Sequence, residues 1–104
     1  MLVYVSGPYT IGDTVENVRK ACEAGDELLT MGHYAFIPHL AMLWHFHSHK
    51  SPDEWLRIDC AILPRCDAVL RIQGQSRGAD KEVEIARKLG IPVYYYLSEL
   101  NKEG

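Results

Sequence analysis

Short β-rich runs alternate with helical repeats along this chain. Leu2-Val3-Tyr4-Val5 stops at Ser6-Gly7-Pro8, a strand followed by a turn. Asp13 with Glu16 three residues on is a capping-box pattern; Val15, Val18, Cys22, Gly25 and Leu29 then recur at helical spacing, and Gly32 closes the helix near residue 31. Tyr34 to Ile37 reads as a second strand, ended by Pro38-His39. Residues 40–50 fit either a short apolar helix or a loop. Ser51-Pro52-Asp53-Glu54 predicts a helix start, with a Ser cap, Pro in the first position and Glu in the third; Pro64 stops that helix at about Leu63. Ala68 to Ile72 is a third strand, Gln73 to Gly78 a loop, Ala79 to Leu89 a helix ended by Gly90, and Ile91 to Leu97 the last strand. This order predicts an α/β fold with right-handed crossovers and a mostly parallel sheet. Ligands of such sheets bind beyond the carboxyl ends of the strands, here Ser6–Thr10, Pro38–His39 and Gln73–Gly78.

Composition narrows the function classes. The 104 residues suit one domain with one core, burying roughly two-thirds of the unfolded surface. A net charge of −3 argues against a nucleic-acid polymer as partner, which needs a basic face. No apolar run approaches the ~18 residues of a membrane span, and MLVYVSGPYT has no basic region of a signal peptide. Three cysteines, Cys22, Cys60 and Cys66, without a CxxC pair, point to free thiols in a reducing cytoplasm, with Cys22 in the core. His45, His47 and His49 alternate, which on a strand would set three imidazoles on one side. No carboxylate or cysteine at ligand spacing supports a metal there, so neither metal nor cofactor is expected.

Two carboxylates fall on faces that ought to be apolar. Asp59 lies three or four positions from Trp55, Leu56, Ile62 and Leu63; Glu82 has Gly78, Ala79, Ile85, Ala86 and Leu89 as helical neighbours. Glu84 is the control, since its neighbours Asp80, Lys81, Arg87 and Lys88 are polar. Glu82 is therefore expected to point inward, toward the loop after the third strand. An inward carboxylate is costly unless paired or used, and pairs of this kind divide nucleophile from acid/base work. Ser76-Arg77-Gly78 before the Glu82 helix suits an anion, and Ser6-Gly7-Pro8-Tyr9 lets a backbone and a phenol approach a ligand.

Taken together, these residues resemble the nucleoside 2-deoxyribosyltransferase family and its nucleoside 5′-monophosphate N-glycosidase relatives, including small uncharacterised bacterial and phage members. The resemblance runs from the first strand to the fourth. It rests on Ser6-Gly7-Pro8-Tyr9 followed by Asn17, on Asp59 with Asp67 eight residues later, on Ser76-x-Gly78-x-x-x-Glu82, and on Gly90 before Ile91-Pro-Val. It implies a flavodoxin/Rossmann-like three-layer sandwich with a four- to five-stranded, mostly parallel sheet. It also implies an enzyme in which Glu82 is the nucleophile, Asp59 assists the departing base, and Tyr9 orients the glutamate. Ser76, in place of the acidic or amide residue of the transferases, implies a 5′-phosphate; Ser6, Gly7, Arg77 and Gly78 would add contacts. Asp67 is expected to be structural.

The implied reaction is hydrolysis of a (deoxy)nucleoside 5′-monophosphate to free base and sugar phosphate. Base exchange between nucleosides and a non-catalytic nucleotide-binding module stay open beside it. The chain departs from the family in being shorter and in carrying the histidine-rich stretch 39–49. His39 and Trp44 could face a base there, or Leu40 to Phe46 could form a subunit interface. A chain this short has little material to close a pocket. The expected partner is therefore a second copy, in a homodimer or larger homo-oligomer with shared sites, covering the 40–46 segment or the Tyr94–Tyr96 region.

Overall fold

The computed structural model describes residues 1–101. Four strands form one parallel sheet: β1 (Leu2–Ser6), β2 (Tyr34–Phe36), β3 (Ala68–Arg71) and β4 (Val93–Tyr94), in the order β2-β1-β3-β4. This is the flavodoxin-like strand order, and its topological switch point lies between β1 and β3. The helices are α1 (Thr14–Thr30), α2 (Met42–His47), α3 (Pro52–Ile62), α4 (Arg77–Lys88) and α5 (Leu97–Asn101). Single 3-10 turns at Pro38–Ala41 and Leu63–Arg65 precede α2 and follow α3.

Alternation along the central strands builds two cores. Val3, Val5, Ala68 and Leu70 face Ala21, Ala24 and Leu28 of α1 and Leu100 of α5. Tyr4 and Val69 face Leu63, Cys66 and Ala86 on the side of α3 and α4. The result is the expected three-layer sandwich.

Local signals set most boundaries. Ser51 and Glu54 form the reciprocal capping box of α3, with Pro52 at its first position. Asp13 accepts the Glu16 amide at the start of α1, while the Glu16 carboxylate turns to Arg19 instead. Ser76 caps α4 by accepting the Ala79 amide at 3.1 Å, so this helix begins at Arg77, two residues before the expected Ala79.

Three expectations are corrected. The buried stripe of α1 is Ala21, Ala24 and Leu28; Val15 and Leu29 are exposed and Cys22 only half-buried, so the inward face lies one position earlier than the larger apolar residues suggest. Small residues let α1 sit close to the sheet, and a Cβ at Gly25 would lie 2.7 Å from the Ile37 side chain. The Ile91–Leu97 run gives only a two-residue edge strand. Glu99 captures the Tyr95 and Tyr96 amides, each at 3.1 Å, and turns the chain into α5, which buries Leu100. The histidine run lies on and after α2, not on a strand, so alternate spacing does not align the three imidazoles.

Candidate active site

The carboxyl ends of β1 and β3 open into a cleft of about 520 Å³. Its floor is Val5, Gly7, Ala79 and Glu82, one wall is Trp55, Leu56 and Asp59 from α3, and the start of α4 supplies Ser76, Arg77 and Gly78. Tyr9, His39, Met42, His45 and Lys50 line the outer side.

Glu82 is 7% exposed on the inward face of α4. Tyr4 donates its phenol to Glu82 Oε2, and Ser6 donates its hydroxyl to Oε1 at 2.7 Å. Burial raises the Glu82 carboxyl above its ordinary range, against the lowering effect of the Tyr4 and Ser6 hydrogen bonds and the Arg71 charge. Asp59 has no such relief. Burial, then the Glu82 charge, pushes it up to about 7, so it keeps a proton near neutrality. The same surroundings raise the Tyr4 phenol, burial first and the two carboxylates after it, so Tyr4 stays a donor. The two carboxyl groups thus differ in surroundings: Glu82 is buried and accepts two hydroxyl hydrogen bonds, and Asp59 is half-buried beside its charge.

Backbone packing brings these groups together. A Cβ on Gly7 would lie 2.9 Å from Ile72 Cβ, so the glycine lets the β1 turn pass over the end of β3. Gly74, at φ +127°, has Pro8 2.6 Å from where its Cβ would stand, which locks the β3–α4 loop to the β1 turn. Asn17 ties down the same turn by donating to Tyr9 O at 3.0 Å and Ile11 O at 2.8 Å. Asp67 accepts the Leu2 amide at 2.8 Å, far from the cleft, and fastens the start of β1 to β3.

The sequence-identified residues Glu82, Asp59, Ser6, Gly7, Ser76, Arg77, Gly78, Tyr9 and His39 all border this cleft or its floor. Their contacts differ from some expectations. The hydroxyls on Glu82 belong to Tyr4 and Ser6; Tyr9 stands on the outer side, edge-on to His39 with ring centroids 5.9 Å apart. The Ser76 oxygen already serves as the α4 cap. His39 is 5% exposed, its Nε2 meets Pro8 O at 2.9 Å, and burial holds its imidazole below the usual range, hence neutral. Nδ1 of His39 is buried without a partner.

Sequence reasoning missed Tyr4, His45, Lys50 and Trp55 as parts of the site. A phenol in the middle of a fully buried strand was the available signal for Tyr4, because its hydroxyl needs a partner. The rim is an aromatic cluster: Trp55 Nε1 donates to His45 Nδ1 at 2.9 Å, His45 stacks with His49 at 4.5 Å, and the Lys50 ammonium stands 4.9 Å from the Trp44 ring centroid. Among the described residues, no three His, Cys, Asp or Glu side chains are grouped to hold a metal ion. Within the same residues, no helix is long and apolar enough to cross a membrane.

The comparisons agree with this architecture. A solved structure of the 2-deoxyribosyltransferase of the psychrotolerant bacterium Bacillus psychrosaccharolyticus, described as a biocatalyst for the synthesis of antiviral and antitumoral nucleosides, superposes with a TM-score of 0.61. The match covers 89% of this chain and 69% of the other at 21% identity, and so speaks for the fold. No curated protein matches the sequence. Residues 1–95 match the family described as a domain of unknown function, DUF4406, and the chain belongs to that family.

Proposed function

We propose that the chain is an N-glycosidase that hydrolyses a (deoxy)nucleoside 5′-monophosphate to free base and sugar 5-phosphate. The observation that carries this reading is the unlike pair of carboxyl groups: Glu82 held by Tyr4 and Ser6, and Asp59 pushed up to about 7 in the same cleft. The deoxyribosyltransferase fold adds support from a nucleoside enzyme.

The reaction follows the retaining glycosidase scheme. A Glu82 oxygen attacks C1′ of the sugar, and the C1′–N bond breaks with its electron pair leaving on the base. Asp59 gives the departing base its proton. Water then attacks C1′ of the glycosyl ester, the C1′–O bond to Glu82 breaks, and Asp59 takes up the proton that water loses. Tyr4 and Ser6 hold the carboxylate in attacking position throughout. The first amides of α4, with the Ser76 hydroxyl, Arg77 and the open face of Gly78, suit the 5′-phosphate. A carboxylate in place of Ser76 would repel it. Tyr9, His39, His45 and Trp55 offer an aromatic surround for the base.

A second copy of the chain is the partner we propose for the exposed Leu40, Leu43, Trp44 and Phe46 beside the cleft. Light scattering of the purified protein should give at least twice the 11.8 kDa of the chain. A mass of one chain, with full activity, would remove this partner.

The test of the reaction is chromatography for free base after incubation with a panel of nucleoside 5′-monophosphates. Base release that Glu82→Ala abolishes is the expected result. Formation of a new nucleoside on adding a second base would reassign the chain to base exchange. Nucleotide-induced thermal stabilisation with no product would leave a binding module.

A further inference from the structure

The outer side of the cleft holds a histidine on which two donors converge. Trp55 Nε1 of α3 donates to His45 Nδ1 at 2.9 Å, and the Lys50 backbone amide donates to the same nitrogen at 3.2 Å. An indole N–H and a peptide N–H can only give a hydrogen bond, never accept one. Nδ1 is therefore the lone-pair nitrogen, and the neutral ring carries its proton on Nε2. The rest of the ring follows by elimination. His49 covers one face, with the ring centroids 4.5 Å apart. Trp55 and the Lys50 amide close the Nδ1 edge. What remains is the second face and the Nε2 edge, on the far side of the ring from both donors. The ring is half-buried and borders the cleft together with Lys50 and Trp55. Among the described residues, the one side-chain nitrogen or oxygen that is both buried and unpartnered is Nδ1 of His39. Nε2 of His45 has no partner in the protein either, and so it stays open to solvent.

We infer that His45 is a base-recognition residue: its Nε2–H is a donor offered to the cleft, and it takes an acceptor on the heterocycle of the substrate, a ring nitrogen or a carbonyl oxygen. The inference deepens the function proposed above and rests on its substrate class. The surroundings favour a heterocycle over the rest of a nucleotide. The groups suited to a phosphate belong to the start of α4, whereas His45 stands among rings: His49, Trp55, and Trp44 packed edge-on against Trp55 at 5.2 Å. Flat side chains attract a flat base but do not tell one of its edges from another; a polar group aimed at one edge supplies that direction. The second nitrogen also separates two roles for the residue. A bracket between α2 and α3 uses Nδ1 alone. Nε2–H is surplus to a bracket, and a donor left open on a cleft wall is free for a ligand.

The experiment combines nitrogen NMR of the ¹⁵N-histidine-labelled protein with binding measurements. His45→Gln assigns the His45 signals. They should show a bare Nδ1 and a protonated Nε2, and a saturating nucleoside 5′-monophosphate should shift Nε2. His45→Phe keeps a ring without a donor. Its Kd for the nucleotide should rise about threefold to tenfold, the range for one net hydrogen bond. The sugar 5-phosphate alone, which has no base, should bind this variant as it binds the wild type. His45→Gln, whose amide can accept with one atom and donate with the other, should recover much of the loss. A proton on Nδ1 overturns the inference. So does an equal loss for nucleotide and sugar phosphate in His45→Phe, which would leave His45 a bracket between the helices. If His45→Phe does not fold, the wild-type Nε2 signal decides, and an unmoved signal with nucleotide bound overturns the inference. Should Nε2 respond to a nucleotide from which no base is released, the role of His45 stands and the N-glycosidase reading falls. Base release with an unresponsive Nε2 does the reverse.

Discussion

On its β1–α4 side the cleft is held by side chains with little freedom. Tyr4, Ser6, Ser76 and Glu82 are all buried, and each is hydrogen-bonded within a framework of paired strands and a capped helix. On its α2–α3 side the same cleft is bounded by a six-residue helix with no buried residue, by rings in contact with one another, and by a lysine resting on two tryptophans. Leu43, Trp44 and Phe46 there are largely exposed. Groups that must be placed to within a fraction of an ångström sit on the rigid side, and groups that surround a flat heterocycle sit where adjustment costs little. The difference predicts that substitutions on the floor act on kcat and those on the rim on KM.

The largest effect should come from Glu82→Gln. It keeps an acceptor for Tyr4 or Ser6 but has no nucleophile, and base release should fall by more than about 10³-fold with nucleotide binding retained. Turnover within tenfold of wild type would place the chemistry elsewhere and end the distinction between floor and rim.

Asp59→Asn comes next. Loss of a general acid costs about 10²–10⁴-fold in rate. The wild-type profile should fall on the alkaline side near 7, where Asp59 loses its proton, and on the acid side where Glu82 gains one. In Asp59→Asn the alkaline limb should vanish. Stability gives an independent reading. The folded value of about 7 lies above the ordinary 3.8, so between these pH values the native state binds more protons than the unfolded chain. Stability from this group is therefore present below about 4, is lost as pH rises toward 7, and is flat above it. Asp59→Asn removes that slope. At pH 8 it should raise the melting temperature, with a stability gain at the lower end of about 1–3 kcal/mol because Asp59 keeps some water.

Tyr4→Phe tests the floor without touching a reacting group. It deletes one of two hydrogen bonds to a buried carboxylate, a loss of about 1.5–3 kcal/mol for a charged acceptor. Glu82 should titrate higher and the acid limb of the profile should rise, with kcat reduced about tenfold to a hundredfold. Ser6→Ala should act in the same direction. A change in KM alone would make the floor behave like the rim.

Particular residues explain what could be read in advance. Glu82 and Asp59 were legible because a carboxylate on an apolar helix face violates the pattern around it, and Glu84 provided the contrast. Ser51 and Gly90 were legible because caps are local chemistry, whereas Ser76, read as an anion ligand in a loop, proved to be the cap of α4. Tyr4 was not legible, since a tyrosine fits a β-strand by propensity and its hydroxyl matters only when α4 comes to lie over it. Arg71 interrupts the apolar run 68–72, but nothing local says that the sheet will turn it inward. The end of the chain misled for the same reason. Ile91 to Leu97 is rich in β-formers, yet the Glu99 carboxylate takes two of its amides and burial of Leu100 outweighs further pairing at the sheet edge. Local signals survive folding; those that depend on a neighbour brought in from afar do not show in the sequence.

The smallest expected effect falls on the rim. Trp55→Phe retains a ring in the α3 wall but removes the indole N–H that meets His45 Nδ1 at 2.9 Å. The Lys50 amide still donates to the same nitrogen at 3.2 Å, so the rim loses one of two ties. A net hydrogen bond of this kind is worth about 0.5–1.5 kcal/mol. If the rim surrounds the base and the floor breaks the bond, KM for the nucleotide should rise about threefold to tenfold while kcat and both limbs of the pH profile stay in place. Measuring the two constants in Trp55→Phe and Tyr4→Phe side by side makes the contrast quantitative. A kcat loss in Trp55→Phe equal to that in Tyr4→Phe would mean that His45 and its neighbours are held as tightly as Glu82, and that the cleft works as one rigid unit rather than as a fixed floor beneath a yielding wall.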